Sequence, residues 1–305
     1  MLLFLALDAG GTKTDYVLAD ETTILARVRS GTIKRLRTDA STAQANLEAA
    51  LAELAQRTSL DLRRVSRCCV GTAGESVPLV VDWLRAEIPP RVGGELLIVG
   101  DVEIALDAAF RGEPGVLVLS GTGSNVAGRG PDGAISTTGG WGPLLADQAS
   151  GHRIGHEALR AIFLAKDEER ESTLLEAVMG FWKLERLEHL IEFANQTPTP
   201  DLSRLAPLVV SCAEAGDVIA DQVLRSQGRE LGYLVRLLIR RLRITSGDMS
   251  FVPDIAFAGS IMERVTTVRE ALLADVRLEF PSVHSKGVSV DPVEGALWRA
   301  RQSRR

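Results

Sequence analysis

The sequence predicts an α/β protein built of two related lobes. Three observations carry this reading. Short apolar runs alternate with helix-period segments once an opening meander of three strands is complete. The strand, Gly/Thr turn, strand, turn, strand pattern of residues 2–29 returns, weakly, at residues 115–138. Between the copies, Arg111-Gly112-Glu113-Pro114 breaks the pattern with charge, glycine and proline. The lobes are therefore set at residues 1–112 and 113–305, with the last helix, about residues 292–302, left free to pack back on the first lobe.

The elements follow in order. Leu2–Leu7 is an apolar run that reads as a buried strand, and Tyr16–Ala19 is the strand returning from it. Ile24–Arg29 alternates apolar and polar residues, as a third antiparallel strand should. Gly31-Thr32-Ile33-Lys34-Arg35 is a loop carrying two bases. Leu47, Leu51 and Leu54 stand at helical spacing and predict a helix over Thr42–Arg57. Cys68–Val70 is a short strand leading into Gly71-Thr72-Ala73-Gly74, and Leu79–Arg85 is helical. Leu96–Val99 is a strand ending in Gly100-Asp101, with a helix over Val102–Phe110.

In the second lobe Gly115–Leu119, Asn125–Arg129 and Ala134–Thr138 are strands. Gly139-Gly140-Trp141-Gly142-Pro143 is a glycine-rich loop around one large aromatic, and a helix follows over Gly151–Ala165. Residues 171–242 are mostly helical, broken at Thr197–Pro200 and at Gly216-Asp217. Asp254–Phe257 is a strand ending in Ala258-Gly259-Ser260, and Arg277–Phe280 is another. Pro292 opens the last helix at a favoured first-turn position.

The stretch richest in chemistry is Asp8-Ala9-Gly10-Gly11-Thr12-Lys13-Thr14. Gly10 and Gly11 carry no Cβ, so backbone N–H groups there can approach an anion closely. The hydroxyls add donors, and Asp8 at the strand end is suited to a hydrated cation. Turn chemistry alone leaves an ordinary Gly-Gly hairpin open beside this phosphate-and-metal reading. It is not a Walker P-loop, because Thr12 stands where that motif has glycine and a strand follows where a helix belongs.

Bulk composition narrows the function classes. The chain of 305 residues is 45% hydrophobic and 25% charged, with a net charge of −5, which gives no electrostatic case for nucleic acid or an anionic membrane. The basic clusters at Arg236–Arg243 and in the Arg-rich C-terminal tail read as coating for helix faces or a frayed end. No run approaches the roughly 20 apolar residues of a membrane span, and Leu2–Leu7 is too short for a signal-peptide core. A cytoplasmic protein is expected. Cys68, Cys69 and Cys212 form no disulfide framework or metal spacing; adjacent in a strand, the first two point to opposite faces. His152 and His156, four apart on a helix, are a formal zinc pair without an HExxH pattern, and ordinary helix positions fit them better.

With these pieces in order, the chain resembles the acetate and sugar kinase/Hsp70/actin superfamily, and within it the BadF-type ATPase family that includes N-acetylglucosamine kinase. The residues carrying the resemblance are Asp8-x-Gly-Gly-Thr-Lys-Thr, Gly100-Asp101, Ser120-Gly121-Thr122-Gly123-Ser124-Asn125, Gly139-Gly140-Trp141-Gly142, Asp147, Gly216-Asp217, Ala258-Gly259-Ser260 and Pro292-x-x-Gly295-Ala296. A ROK-type sugar kinase fits less well, since its Cys-rich zinc motif is absent.

The resemblance implies two ribonuclease-H-like lobes, the actin-like ATPase fold, with a nucleotide cleft between them. It implies ATP held by Gly10, Gly11, Thr12 and Lys13 in one turn and Gly121, Thr122 and Gly123 in the other. Asp8 would act through hydrated Mg²⁺, and Ala213, Gly259 and Ser260 would border the adenosine. An amino sugar would meet Thr72, Asp101, Gly140, Trp141, Gly142 and Asp147, with its 6-hydroxyl the expected acceptor. Phosphoryl transfer needs positioning, charge neutralisation and a carboxylate on the acceptor hydroxyl, and Asp101 is the candidate base. Asp101 also reads as a helix N-cap, Asp147 as a cap of the helix after it, and Trp141 as a packing residue. A homodimer is implied, with residues 171–242 as a possible surface.

The chain departs from the family at two places on the acceptor side. Lys34 stands where the sugar kinases usually have asparagine, and Asp147-Gln148-Ala149-Ser150 replaces Asp-Glu-Gly-Ser. Lys34 fits a carboxylate-bearing sugar such as N-acetylmuramic acid, or simply points into solvent with Arg35. Glucosamine is a further candidate acceptor. The rival classes are an ATP-driven activator of a partner enzyme, whose cysteine pattern is missing here, and a non-catalytic nucleotide-binding module.

Overall fold

A computed structural model describes residues 1–288 and 290–302. The Arg-rich end beyond residue 302 lies outside the described residues. By contacts the chain forms two compact units, Met1–Glu113 joined by the chain from Val290 on, and Pro114–Ser289.

The first unit opens with the meander β1 (Leu3–Ala9), β2 (Lys13–Ala19) and β3 (Ile24–Gly31). Helix α1 (Ala40–Thr58) starts where the Asp39 carboxylate accepts a bond from the Thr42 amide, a side-chain N-cap. Strand β4 (Val65–Thr72), helix α2 (Pro78–Glu87), strand β5 (Glu95–Val99) and helix α3 (Asp101–Phe110) complete the run. The sheet order is β3-β2-β1-β4-β5, with β1, β4 and β5 parallel. Both faces are covered, which is why β1 reads as a continuous apolar run. Leu3, Leu5 and Leu7 pack with Leu47, Leu51, Leu54 and Leu84 of α1 and α2. Phe4 and Ala6 face Ile104 and the last helix, α11 (Pro292–Arg301), through Val293, Ala296 and Leu297. Cys68 and Cys69 divide between these two cores, on opposite faces as their spacing requires.

Helix α11 lies hard against α3. A Cβ on Gly295 would fall 1.8 Å from the Ile104 carbonyl oxygen and 2.6 Å from the Ala108 nitrogen. The Arg299 guanidinium also bonds the fully buried Asp107 carboxylate at 2.7 Å through Nε and pairs with Glu103. Gly295→Ala is therefore expected to cost about 3 kcal/mol or more, the upper range of overpacking, because backbone and not a side-chain tip must yield. Urea unfolding of the full chain measures this, and an unchanged midpoint would contradict the contact.

The second unit repeats the plan. Strands β6 (Gly115–Ser120), β7 (Ser124–Arg129) and β8 (Ile135–Gly139) form an antiparallel meander. Helices α4 (Gly151–Asp167), α5 (Leu174–Trp182), α6 (Leu187–Ala194), α7 (Ala206–Glu214) and α8 (Val218–Ser246) follow. Then come β9 (Ile255–Ala258), the short α9 (Ser260–Arg264), α10 (Thr266–Arg277) and β10 (Ser285–Val288). The order β10-β9-β6-β7-β8, with β9 parallel to both β6 and β10, is the order of the first sheet element for element. The fold is the predicted α/β arrangement, one ribonuclease-H-like sheet in each unit.

Two expectations are corrected. Arg277–Phe280 is not a strand: it is the end of α10 and the turn after it, where the Phe280 amide bonds the Val276 carbonyl at 3.0 Å. Val276 and Phe280 are both buried and four apart, so the alternation read there was the tail of a helical pattern. The actual edge strand is β10. The Arg236–Arg243 cluster is not merely a solvated coat, since Arg236 pairs with Asp275 of α10 and Arg240 with Glu279 in the turn after it, joining both to α8. Among the described residues no helix is long and apolar enough to cross a membrane.

Candidate active site

In the first unit the functional candidates gather on one rim. Parallel strands share their carboxyl ends, and open α/β sheets bind ligands there. Asp8 of β1 stands level with Gly71 of β4, which stands level with Val99 of β5. One step further lie Thr72 and, past β5, Gly100-Asp101. The Thr72 hydroxyl is buried and donates to the Ala9 carbonyl at 3.4 Å, joining the ends of β1 and β4.

The turn Gly10–Lys13 leads directly from Asp8 into β2. Thr32 secures it by donating to the Gly10 carbonyl at 2.7 Å, and the Lys34 amide donates to the same Thr32 hydroxyl at 3.0 Å. The loop carrying Lys34 is thus fastened to the Gly10–Lys13 turn. Lys34 and Arg35 are half-buried, not free in solvent, and Arg35 donates to the Thr38 carbonyl.

The electrostatics of this rim are lopsided. Lys13 and Arg29 both pair with Asp15, at 3.3 and 2.5 Å, and not with Asp8. Burial pushes the Asp8 carboxyl up to about 6, and the nearby charges of Asp15, Asp101 and Asp291 push in the same direction. A carboxylate that is costly to ionise beside three others is suited to a cation. Among the described residues no group of three or more histidine, cysteine or acidic side chains is arranged to hold a metal. One carboxylate fits Mg²⁺, which keeps waters and binds mainly through substrate phosphates. Asp8 would hold it, and the ion would neutralise phosphate charge.

Asp101 is the first residue of α3, and Gly100, not Asp101, occupies the N-cap position. Its Oδ1 accepts from the adjacent Val102 amide at 2.8 Å. The capping alternative is thereby corrected: the orphan amides deeper in the first turn are not bonded by this carboxylate.

In the second unit the turn Gly121–Gly123 joins β6 to β7. Gly259 has φ +91°, and a Cβ there would lie 2.4 Å from the Ser120 carbonyl oxygen, so only glycine lets the end of β9 come this close. Ser260 is thereby set near Gly121, its Oγ 3.6 Å from where a Gly121 Cβ would be. Ala213 is in a different element, the last turn of α7, partly buried against the helical core. Asp217 caps α8 and accepts bonds from Ser172, Thr173 and Ala220. Burial opposes its ionisation, yet these donors hold its carboxyl below the ordinary range.

Asp147 also comes to the turn. Its Oδ2 lies 3.1 Å from where a Gly123 Cβ would be, and its Oδ1 accepts from the Gly142 amide at 3.2 Å. It does not cap α4; Ser150 does, accepting from the Arg153 amide. Trp141 is 73% exposed and packs into no core, which removes the packing alternative; Leu144 and Leu145 are exposed beside it. His152 and His156 belong to no metal cluster among the described residues, and burial first, then His156, lowers the His152 imidazole pKa.

Sequence reasoning missed the residues that brace these parts: Thr32, the Ser120 hydroxyl, Ser150 and Gln227, a buried amide on α8. Gln227 alone left a trace, as a polar residue on an otherwise apolar stripe with Val223 and Leu231.

The chain matches the model of the BadF/BadG/BcrA/BcrD ATPase family over residues 5–300. It is 26% identical to an N-acetylmuramic acid/N-acetylglucosamine kinase of Clostridium acetobutylicum, over 99% of each chain. It is 26% identical to an N-acetyl-D-glucosamine kinase of Dictyostelium discoideum, again over 99% of each. A Chromobacterium violaceum structure provisionally named an N-acetylglucosamine kinase superposes with a TM-score of 0.73, at 25% identity and 99% coverage of both chains.

Proposed function

The chain belongs to the BadF/BadG/BcrA/BcrD ATPase family, and on that premise we propose that it is an ATP-dependent kinase that phosphorylates an amino sugar. The observation that carries this is the duplicated hairpin: a Gly/Thr turn opens each five-stranded sheet, and the first is followed on its rim by Thr72 and Asp101. Backbone donors in the two turns suit phosphates, Asp8 suits the accompanying Mg²⁺, and Asp101 suits an acceptor hydroxyl. In this reading Asp101 removes the sugar proton, while Thr72, Gly140–Gly142 and Asp147 orient the ring. Ala213, Gly259 and Ser260 border the adenosine. The 6-hydroxyl is the acceptor, and a homodimer in the cytoplasm is carried by the resemblance alone.

N-acetylglucosamine is the first expected substrate. N-acetylmuramic acid is a second, suggested by the charge of Lys34 at a position where the family's sugar kinases usually carry asparagine, on a loop whose backbone is tied to Gly10 through Thr32. The activator reading is weakened by the cysteines. All three are buried, and burial pushes the Cys69 thiol up to about 12, so these are core residues and not cluster ligands.

ADP release from ATP·Mg²⁺ across N-acetylglucosamine, glucosamine and N-acetylmuramic acid tests the proposal. Low hydrolysis without sugar and strong stimulation by at least one of them is expected. Hydrolysis indifferent to every sugar would overturn it. Lys34→Asn should weaken N-acetylmuramic acid selectively if the lysine meets its carboxylate.

A further inference from the structure

We propose that Gln227 is a positioning residue for phosphoryl transfer, holding the backbone of Ala149 so that the segment Asp147–Gly151 braces the second phosphate turn. The inference rests on the kinase reading above, but its structural core stands within one unit.

Gln227 lies in the middle of α8, 1% exposed, on the stripe with Val223, Leu224 and Leu231. A leucine there would complete that stripe without burying an amide. Both ends of the amide are instead hydrogen-bonded. Its Oε1 accepts from the Ala149 amide at 2.9 Å, and its Nε2 donates to Glu230 at 3.1 Å.

Ala149 needs such a partner. It is wholly buried and has φ +60°, left-handed backbone that a residue with a Cβ adopts only at a cost. Asp147, two residues earlier, is also left-handed at φ +65°. Two non-glycine residues in this conformation within three positions require support from outside the segment.

What the segment touches gives the support its consequence. The Ala149 carbonyl accepts from the Ser120 hydroxyl at 2.8 Å, at the start of the turn. The Gly151 amide donates to the Gly121 carbonyl at 2.7 Å, and Ser150 caps α4. Asp147 reaches the Gly142 amide at its other end. Phosphate turn, sugar loop and α4 thus converge on five residues that Gln227 pins to α8. A shift of the segment would displace Asp147 and Gly121 together, and small misplacements of reacting groups are costly in rate.

A double-mutant cycle tests this. Gln227→Met keeps length and apolar bulk but removes the acceptor; Ala149→Gly allows left-handed backbone without a clamp. In the native background Gln227→Met should lower kcat/KM for the sugar by at least about tenfold, mainly in kcat. In the Ala149→Gly background the same change should cost measurably less, since glycine holds φ +60° without strain although its buried amide still loses the acceptor. Amide hydrogen exchange at residues 147–151 should quicken in Gln227→Met and not elsewhere in the unit. Where Gln227→Met fails to fold, Gln227→Asn withdraws the same oxygen by one carbon and should act in the same direction. Equal penalties in both backgrounds, or unchanged kinetics with unchanged exchange, would overturn the proposal. A native chain that phosphorylates no sugar sinks the kinase reading itself, which the exchange measurement reports separately.

Discussion

Asp101→Asn is expected to lower sugar phosphorylation by about 10²–10⁴-fold, the range removed with a positioned general base, while nucleotide affinity stays within about twofold. Asparagine has nearly the shape of aspartate and keeps an Oδ1 to accept the Val102 amide, a bond of 2.8 Å in the native protein. The start of α3 and its packing under α11 should therefore survive. What disappears is a negative charge on the rim shared with Asp8 and Thr72. That charge raises the Asp8 pKa, so the variant should bind metal–nucleotide at least as well as the native chain at mildly acidic pH. Steady-state ADP release and calorimetric nucleotide titration on one preparation separate the two effects. Turnover within tenfold of native would remove Asp101 as the base; loss of nucleotide binding would make it a structural residue.

The parts of this molecule that were legible in the sequence are those written in local chemistry. Leu2–Leu7 and Gly115–Leu119 are apolar runs too short for buried helices, and each is closed by a Gly/Thr turn that points back into a strand. Their repetition foretold the common sheet order of the two units. The positions of Asp8 and Asp101 on the rim were legible because carboxylates at strand ends are placed by the strand itself. The errors share another cause. Whether Asp147 or Ser150 capped α4 depended on a left-handed backbone at Asp147 and Ala149, which no residue type there announces. Arg277–Phe280 looked extended because Leu278 and Phe280 alternate with Arg277 and Glu279, yet Leu278 is exposed and Phe280 buried, as the end of a helix and the turn after it require. Gln227 stands 78 residues from Ala149, and only folding brings its amide to that backbone. Alanine in place of glycine at 149 is the visible half of the pair; the compensating clamp is a tertiary fact.

Asp8→Asn should make the protein more stable and nearly inactive, and pH should separate the two consequences. Burial, then the charges of Asp15, Asp101 and Asp291, raises the folded carboxyl from 3.8 to about 6. A raised folded pKa means that the native state binds a proton more tightly than the unfolded chain. The resulting stabilisation is complete below about pH 4 and is lost as pH rises through about 6. At pH 7.5 the ionised Asp8 is therefore a liability on the order of 3 kcal/mol, because each tenfold weakening of an acid is worth about 1.36 kcal/mol. Asparagine removes it, so the midpoint of thermal unfolding at pH 7.5 should rise by several degrees. The gain should vanish near pH 4, where the native carboxyl is already neutral. Activity runs the other way. At limiting metal–nucleotide the native enzyme should lose sugar phosphorylation as pH falls through about 6, because a protonated Asp8 binds the cation poorly. Asp8→Asn should be depressed by about 10²-fold or more at every pH, as when one electrostatic contact to a transition state is removed. Thermal scans at pH 4 and 7.5 beside pH–rate profiles carry the test. A variant no more stable than native at pH 7.5 would refute the burial argument, and one that retains activity would refute the metal-holding role. A residue that costs stability where the protein works is what a functional site should contain.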